Sequence, residues 1–203
     1  MTHQQPTEVK TLVFATNNAH KLKELREILG SRYDIVSLND IGCHDDIPET
    51  ADTLAGNALQ KAQWVKERYG RDCFADDTGL MVDALDGAPG VKSARYAGDA
   101  HDSAANVALL LKNLDGVPAE RRTARFKTVI CLLLDGETHY FEGVVEGHII
   151  DTMHGGGGFG YDPVFVPDGW NKTFAEATPD EKNAVSHRGR AVRKLVDHLE
   201  KNS

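Results

Sequence analysis

The feature that most constrains the fold of this chain is a pair of long β-rich segments separated by a short turn. They span residues 123–134 and 138–150, and Asp135-Gly136-Glu137 lies between them. Aspartate followed by glycine between two such segments is a strong signal of a β-hairpin. Part of the sheet is therefore expected to be antiparallel, which disfavours a purely doubly wound parallel fold.

The chain before the hairpin alternates between strands and helices. Residues 11–15 (TLVFA) predict a strand. Apolar residues then recur at helical spacing up to a stop at Gly30, namely Leu22, Leu25, Ile28 and Leu29. Further predicted elements are a helix over 53–69, a buried strand over 73–76 that ends at Asp76-Asp77, and a helix whose N-cap is Ser103. This alternation indicates an α/β fold with a mixed central sheet.

Three features follow the hairpin: a glycine run at 155–158, a short strand over 163–166 and a final helix. The final helix begins with Thr178-Pro179-Asp180-Glu181, a capping box with proline at the first helical position. No repeat, linker or clear boundary interrupts the chain. We therefore expect one domain over residues 1–203 with two lobes, in which residues 1–10 form a loose N-terminal extension.

Charge limits the partners of the chain. Lys plus Arg total 23 against 31 for Asp plus Glu, which gives a formal net charge of −8 over 203 residues. Such a chain repels nucleic acid polymers and anionic membranes, and no apolar run is long enough to span a bilayer. Small phosphates stay compatible with this charge if Lys and Arg cluster locally.

The cysteines indicate a reducing compartment. Cys43, Cys73 and Cys131 are odd in number, far apart and without a CxxC pair. A zinc knuckle and a redox dithiol are therefore disfavoured. The polar N-terminus has no hydrophobic stretch of the signal-peptide kind. Together these features predict a cytoplasmic protein.

The loop after the first strand is a candidate anion site. It contains Thr16, Asn17 and Asn18, and Lys21 follows one turn into the helix. A loop that leads into a helix N-terminus presents unpaired backbone N–H groups, and these bind phosphate readily. The alternative is that Asn17 or Asn18 only caps the helix and that Lys21 is solvated.

Two further positions carry weaker signals when taken alone. Glu49 lies in a loop before the second helix, and Lys61 lies inside that helix, on the face that it shares with Asn57 and Trp64. Each of them in isolation is typical of an ordinary surface residue.

Asp76-Asp77 is a sharper signal. Two adjacent carboxylates after an apolar strand are costly unless cations or hydrogen bonds hold them. Strand ends are also where ligands bind in α/β sheets, and alternation directs one of the two side chains toward the site. The alternative is an Asp-Thr-Gly turn with one capping carboxylate.

The segment GGGGFG at 155–160 allows close approach of backbone to a ligand. Phe159 offers an aromatic face on which a base can stack, and Tyr161-Asp162 leads into the next strand. Polar groups for base selection come from the final helix: Lys182, Ser186, His187 and Arg188. Lys182 and Arg188 point about 240° apart on an ideal helix, so either the helix is interrupted near Ser186 or only part of the set is functional.

These segments together resemble the inosine triphosphate pyrophosphatase family, whose members hydrolyse non-canonical purine nucleoside triphosphates. The matching stretches are VFATNNAHKLKEL, PETADT with NALQKA after it, FADDTGL, GAPGVKSARYAG, GGGGFGYDPVFVP and EKNAVSHRGRA. They span about residues 11–195 in the family's order. Each motif is weak alone, whereas six in this order are highly specific.

The resemblance implies an elongated, two-lobed α/β fold with the active site in the cleft between the lobes. It also implies a homodimer, a dependence on Mg²⁺ with Mn²⁺ as an alternative, and release of pyrophosphate. Glu49, Asp76 and Asp77 would hold the metal, with Asp77 as the catalytic base. The residues implied for the triphosphate and the nucleoside are Thr16, Asn17, Asn18, Lys21, Lys61, Thr78, Phe159, Gly160, Tyr161, Asp162, Lys182, Ser186, His187 and Arg188.

One departure from the family pattern stands before Asn57. Many relatives carry an acidic residue there, whereas this chain has Ala55-Gly56. We expect this change to weaken a second metal contact while leaving the Glu49 position intact.

The mechanism that we expect is attack of water on the α-phosphorus of ITP, dITP or XTP, with pyrophosphate leaving. Lys21 and Lys61 would neutralise charge on the leaving group. A donor such as His187 or Arg188 would pair with the 6-oxo group of the base but would face another donor in ATP.

Three rival functions remain at this point. A haloacid-dehalogenase-like phosphatase would need an Asp-x-Asp pair and would release orthophosphate. A nucleotide-sensing module would bind ITP without turnover. A septum-inhibitor type of nucleotide pyrophosphatase would prefer pyrimidines or modified bases.

Overall fold

A computed structural model describes residues 8–29 and 31–202. Six strands form one sheet in the order β2-β1-β3-β4-β5-β6. The strands are β1 (Lys10–Phe14), β2 (Tyr33–Val36), β3 (Cys73–Val82), β4 (Thr123–Leu134), β5 (Glu137–Ile149) and β6 (Phe165–Pro167). The helices are α1 (Ala19–Leu29), α2 (Leu54–Tyr69), α3 (Ser103–Asn113), α4 (Pro179–Val185) and α5 (His187–Lys201).

The sheet is mixed, as the hairpin signal predicted. β1 pairs in parallel with β2 and β3, whereas every pair from β3 through β6 is antiparallel. The turn between β4 and β5 places Asp135 at φ 52° and Gly136 at φ 80°. Two consecutive positive φ values are what a tight hairpin turn of matching twist requires. The predicted hairpin is therefore confirmed, and so is the α/β class.

β3 is longer than predicted, and this corrects the placement of the acidic pair. The strand does not end at Asp76 but continues to Val82, because β4 pairs with it from Cys73 to Val82. β1, on the other side, pairs only with Cys73 and Phe74. Asp76 and Asp77 therefore lie in the middle of a strand, and the alternative of an Asp-Thr-Gly turn is wrong.

Helix boundaries follow local capping. Thr53 accepts a hydrogen bond from the Gly56 amide at the start of α2, which confirms the predicted helix. The N-cap of α3 is Asp102 rather than Ser103, because the Asp102 carboxylate accepts from the Ala105 amide at 3.1 Å. β6 lies two residues later than predicted, since Asp162–Val164 form a short helical turn. The predicted stop at Gly30 lies outside the described residues.

The final helix is interrupted at Ser186, one of the two arrangements that the sequence left open. Ser186 has φ −63° and ψ 153°, ends α4 and caps α5 by accepting from the Gly189 amide. The capping box at Thr178 and Glu181 is confirmed at the start of α4. The break re-aims the chain, so residues on α4 and α5 can face one ligand.

The core divides along the long strands into two regions. Around the β1 end of the sheet, α1 and α5 cover one face, with Leu25 and Leu195 buried, and α2 covers the other, with Ala62 buried. At the far ends of β3–β5, α3 and β6 enclose a second region that contains Leu110 and Phe165. The same long strands contribute to both regions, and the division of the domain into two lobes stays a prediction.

The expectation of a loose N-terminal extension over residues 1–10 is wrong at Lys10. Lys10 already belongs to β1, and its ammonium pairs with Asp135 at 2.8 Å, whereas residues 1–7 lie outside the described residues. Across residues 8–29 and 31–202, no helix has the length and apolarity needed to cross a membrane.

Candidate active site

A cavity of about 440 Å³ lies where β1 stops and β3 continues. From Ala75 to Leu80 this edge of β3 has no partner strand within the described residues. Its walls come from α1, α2, β3, the glycine-rich loop and the start of α5. A volume of this size is within the range of small-molecule sites.

Asp76 and Asp77 point to opposite faces of the sheet, as alternation predicted. Asp76 accepts from Lys21 of α1 at 2.8 Å, whereas Asp77 accepts from Asn57 of α2 at 3.1 Å. Both nevertheless border the cavity, because it opens at the strand edge where the two faces meet. The open edge of β3 thus brings side chains from two layers into one site.

Asp76 is buried among cations. Burial opposes its ionisation, but the charges of Lys21, Lys61 and Arg188 outweigh this effect and hold the pKa of Asp76 well below its usual range. The Lys21 side chain is only 19% exposed, so Lys21 is not a solvated surface residue. Asn18 accepts from the amides of His20 and Lys21, so the capping part of the alternative is confirmed, whereas its solvated Lys21 is wrong.

Lys61 connects the two acidic elements. Its ammonium lies 2.8 Å from the Glu49 carboxylate and donates to the Asp76 backbone oxygen on the open strand edge. Burial lowers the pKa of Lys61, but Asp76, Glu49 and Asp77 raise it by more. With a side chain 13% exposed, Lys61 is not an ordinary surface residue.

Asp77 has the opposite electrostatic environment. Burial raises the pKa of Asp77 to about 6, assisted by the charges of Glu49 and Asp76 and opposed by Lys61 and Asn57. The carboxyl group therefore titrates just below neutral pH. Such a perturbed value is typical of groups that exchange protons or bind cations.

The glycine-rich loop is held by Asp162. Its buried carboxylate accepts from Lys182 at 2.6 Å and from the Phe159 amide at 3.1 Å. The Phe159 ring is 65% exposed, and the Lys182 ammonium lies 5.1 Å from its centroid. An open aromatic face at the rim of a cavity is suited to stacking of a base.

His187 and Arg188 carry buried polar atoms without partners. The His187 ring stacks on Phe126 with centroids 4.8 Å apart, and burial, followed by Arg188, Lys182 and Lys21, lowers the pKa of His187 to about 3. His187 Nδ1 and Arg188 Nε have no hydrogen-bond partner in the described structure. Because such atoms are costly, they mark where a polar ligand would bind.

Two of the predicted site residues lie outside the cavity wall. Asn17 accepts from the Asn39 amide at 2.8 Å, and Thr16 accepts from the Asn18 amide, so both shape the loop. The remaining predicted residues border the cavity. Within this set Thr78 hydrogen-bonds Thr128, and Ser186 acts as a helix cap.

Sequence reasoning missed the hydrogen bonds by which Ser93 connects β3 to the segment that carries Tyr161. Ser93 accepts from the Leu80 amide on the open edge of β3 and donates to the Gly90 carbonyl, while Tyr161 donates to the Ser93 carbonyl at 2.6 Å. Asn106 holds the segment around Ser93 through Ala94. The available signal was the motif GAPGVKSARYAG, which contains Ser93. Its partners Leu80, Tyr161 and Asn106 lie outside the motif, so the sequence alone does not show these contacts.

The carboxylates of Glu49 and Asp77 fit a magnesium ion whose coordination shell the phosphate oxygens of a substrate would complete. Within residues 8–29 and 31–202 no three His, Cys, Asp or Glu side chains converge as a ready-made metal cage. Mg²⁺ commonly uses one or two carboxylates together with phosphate oxygens and water. Asp77 and Glu49 suit this role, because both border the cavity and the charge of Glu49 raises the pKa of Asp77, a repulsion that a cation between them would relieve. Asp76 as a metal ligand stays a prediction, since its Oδ2 accepts from Lys21.

Comparison with known proteins agrees with this geometry. A sequence model of the Ham1 family matches residues 12–198. The chain belongs to the Ham1 family. Among its relatives, the dITP/XTP pyrophosphatase of Porphyromonas gingivalis is 56% identical over 191 residues, which cover 94% of this chain and 98% of that protein.

Solved structures of Ham1 proteins have the same fold. The Staphylococcus aureus Ham1 protein superposes with a TM-score of 0.90 at 36% identity, over 96% of this chain and 100% of that chain. A nucleoside-triphosphatase / dITP/XTP pyrophosphatase from Mycobacterium abscessus gives a TM-score of 0.80 at 47% identity, over 91% of this chain and 98% of that chain. The family resemblance and the mixed α/β architecture expected from the sequence are therefore confirmed.

Proposed function

We propose that this Ham1-family protein hydrolyses dITP, ITP and XTP to the nucleoside monophosphate and pyrophosphate. The observation that carries the proposal is the chemistry of a single cavity. Its lining combines Lys21, Lys61 and the Asp76-Asp77 pair with an exposed aromatic ring, Phe159, and two residues that carry unpartnered polar atoms, His187 and Arg188. Such a cavity suits a ligand with an anionic tail and a polar aromatic head.

The triphosphate would displace existing ion pairs. Lys21 is held by Asp76 and Lys61 by Glu49 in the unliganded protein, so both ammonium groups are already oriented at the cavity. Phosphate oxygens would take over these donors, and the lysines would then neutralise charge on the leaving pyrophosphate. Charge neutralisation by fixed cations is the main contribution of proteins to phosphoryl transfer.

Glu49 and Asp77 are the residues that would hold Mg²⁺, with Mn²⁺ as an alternative. The ion, when bound, would polarise the phosphate and lower the pKa of water. Asp77 would also accept the proton of the attacking water, because its carboxylate borders the cavity where the phosphates would lie.

Selection of the base follows from the unpartnered atoms. Arg188 Nε is an unpartnered hydrogen-bond donor, and it would pair with a 6-oxo group but oppose the 6-amino group of adenine. An unsatisfied buried donor costs about 1–3 kcal/mol. His187, neutral at working pH, offers a second nitrogen next to it.

Two wider properties are part of the proposal. A homodimer is inferred from the family resemblance, and a cytoplasmic location is supported by three buried cysteines that are all free thiols.

The product of the reaction tests the proposal directly. Purified protein is incubated with dITP, XTP, ATP or dTTP, with Mg²⁺ or with EDTA, and pyrophosphate and orthophosphate are measured separately. We expect stoichiometric pyrophosphate from dITP and XTP, at least tenfold less from ATP and dTTP, and none with EDTA. Orthophosphate as the first product, or binding of dITP without turnover, would overturn the proposal.

A further inference from the structure

Asn57 occupies a position between the two carboxylates that we assign to the metal. Its side chain is 1% exposed and makes two hydrogen bonds. The amide nitrogen donates to Asp77 Oδ2 at 3.1 Å, and the amide oxygen accepts from the Ala51 backbone N–H at 2.9 Å. One buried amide thus joins β3 to the loop that carries Glu49.

That loop depends on α2 for its conformation. Residues 46–51 belong to no helix or strand, and Gln60 holds the loop by accepting from the Thr50 amide at 2.8 Å and donating to its hydroxyl. A Cβ on Gly56 would lie 2.8 Å from Ala51 Cβ, so the loop packs against the first turn of the helix. The position of Glu49 is therefore set by side chains of α2.

We propose that Asn57 is a positioning residue that fixes the separation of Glu49 and Asp77 for magnesium binding. This inference rests on the proposed function for its catalytic consequence. Asp77 comes from a strand and Glu49 from a loop, and Lys61 contacts only the second of the two carboxylates by a direct ion pair. Asn57 provides a direct connection between the strand and the loop.

Loss of this amide has a calculable consequence. Removing a group that orients a metal ligand typically costs about 10–100-fold in metal affinity or activity. For Asn57→Ala we expect the dissociation constant of Mg²⁺, measured by titration calorimetry in the presence of a non-hydrolysable dITP analogue, to rise by this factor. The kcat for dITP should fall by a similar factor, while KM changes less than about threefold, because the base and phosphate contacts are elsewhere.

Amide hydrogen exchange in metal-free protein tests, without any turnover, whether the two hydrogen bonds of Asn57 hold the loop that carries Glu49. Asn57→Ala should accelerate exchange in a peptide that covers residues 46–54 and leave the exchange of β4 unchanged. The matched control is Asn113→Ala at the end of α3, which also removes an amide hydrogen bond, the one that Asn113 donates to the Tyr96 hydroxyl. We expect no change in loop exchange, magnesium affinity or kcat in this control.

Asn57→Asp distinguishes the hydrogen bond to the Ala51 amide from the hydrogen bond to Asp77. Aspartate keeps an acceptor for the Ala51 amide but cannot donate to Asp77 when ionised. Slow exchange of the loop with a kcat at least tenfold below wild type supports the connection through Asn57, and a wild-type kcat overturns the role of the hydrogen bond to Asp77. If Asn57→Ala does not fold by circular dichroism, Asn57→Ser takes its place in the same measurements.

Unchanged magnesium affinity in a folded Asn57→Ala protein would overturn the inference. This outcome differs from failure of the proposed function, in which wild-type protein releases no pyrophosphate although loop exchange and magnesium binding still respond to Asn57.

Discussion

Asp76 and Asp77 are neighbours in sequence whose ionisation is controlled in opposite directions. Asp76 is surrounded by Lys21, Lys61 and Arg188 and stays ionised at any ordinary pH. Asp77 is partly buried beside Glu49, and its pKa rises to about 6. Pairs of carboxylates with separated pKa values are a recurrent basis for acid–base chemistry. In this chain the strand alternation itself produces the separation.

The raised pKa of Asp77 predicts that Asp77→Asn stabilises the metal-free protein. A carboxyl group whose pKa is higher in the folded than in the unfolded state loses stability as pH rises from about 4 to 6. Two pH units correspond to at most about 3 kcal/mol, and partial exposure reduces the expected gain to about 1–2 kcal/mol.

Urea denaturation in EDTA measures this effect. Asp77→Asn should be more stable than wild type at pH 7.5, and the difference should disappear near pH 4. The same variant should lose at least a hundredfold in kcat, the usual contribution of a general base. Equal stability at pH 7.5, or retained turnover, would contradict the roles given to Asp77.

At the scale of elements, the break between α4 and α5 positions the base-binding residues. Ser186 accepts from the Gly189 amide at 3.0 Å and starts α5, so that His187 and Arg188 form the first turn of that helix. Lys182 remains on α4, where it contacts Asp162. A continuous helix would direct Lys182 and Arg188 apart.

Ser186→Ala tests this role of the helix cap. Loss of a serine N-cap costs about 0.5–2 kcal/mol, so we expect a lower melting temperature by thermal unfolding. Because the first turn of α5 loosens, KM for dITP should rise more than kcat falls. Ser186→Asp, which can still cap the helix, is the control, and its melting temperature should be close to that of wild type.

Gly56 explains the departure of this chain from the acidic residue that many relatives carry. A side chain there would meet Ala51 Cβ at 2.8 Å and Thr53 Oγ1 at 2.9 Å. The close packing of the loop against α2 therefore requires glycine at this position. That the departure weakens a second metal contact stays a prediction, and the structure adds that glycine lets the Glu49 loop pack closely against α2.

Gly56→Ala should consequently destabilise the protein. At an unhindered helix position this substitution gains about 1 kcal/mol, whereas overpacking costs about 1–3 kcal/mol. We expect a lower melting temperature together with weaker magnesium binding by calorimetry. An increase in melting temperature would show that the loop accommodates the methyl group.

Two exposed cations of α5 also hydrogen-bond the backbone of β5. Arg190 donates to the Val144 carbonyl and Lys194 to the Glu142 carbonyl. These carbonyls lie on the edge of β5 beyond its short pairing with β6, which covers only Gly147–Ile149. Cations on an open edge block pairing with another strand.

At the scale of the whole molecule, sequence reasoning was most successful where the signal is local. The turn at Asp135-Gly136, the cap at Thr53 and the capping box at Thr178 each depend on a few adjacent residues. The continuation of β3 past Asp76 was missed, because it depends on pairing with a strand about fifty residues away.

The site shows the same division. Motifs identified residues that border one cavity, namely Lys21, Lys61, Asp76, Asp77 and Ser186-His187-Arg188. The partners of these residues could not be read from the sequence: Lys21 with Asp76, and Ser93 with Leu80, are contacts between distant segments. That the chain forms a single folding unit over residues 1–203 remains a proposal.

The long antiparallel strands have a mechanical consequence for the cleft. β4 and β5 stay paired from Thr123 with His148 to Leu134 with Glu137, so the same strands run through both core regions. A hinge between these regions would have to shear this ladder, and packed sheets do not deform continuously. The width of the cleft is therefore a fixed property of the sheet. The glycine-rich loop at one rim belongs to no strand, so we expect any adjustment to ligands of different size there rather than between the long strands.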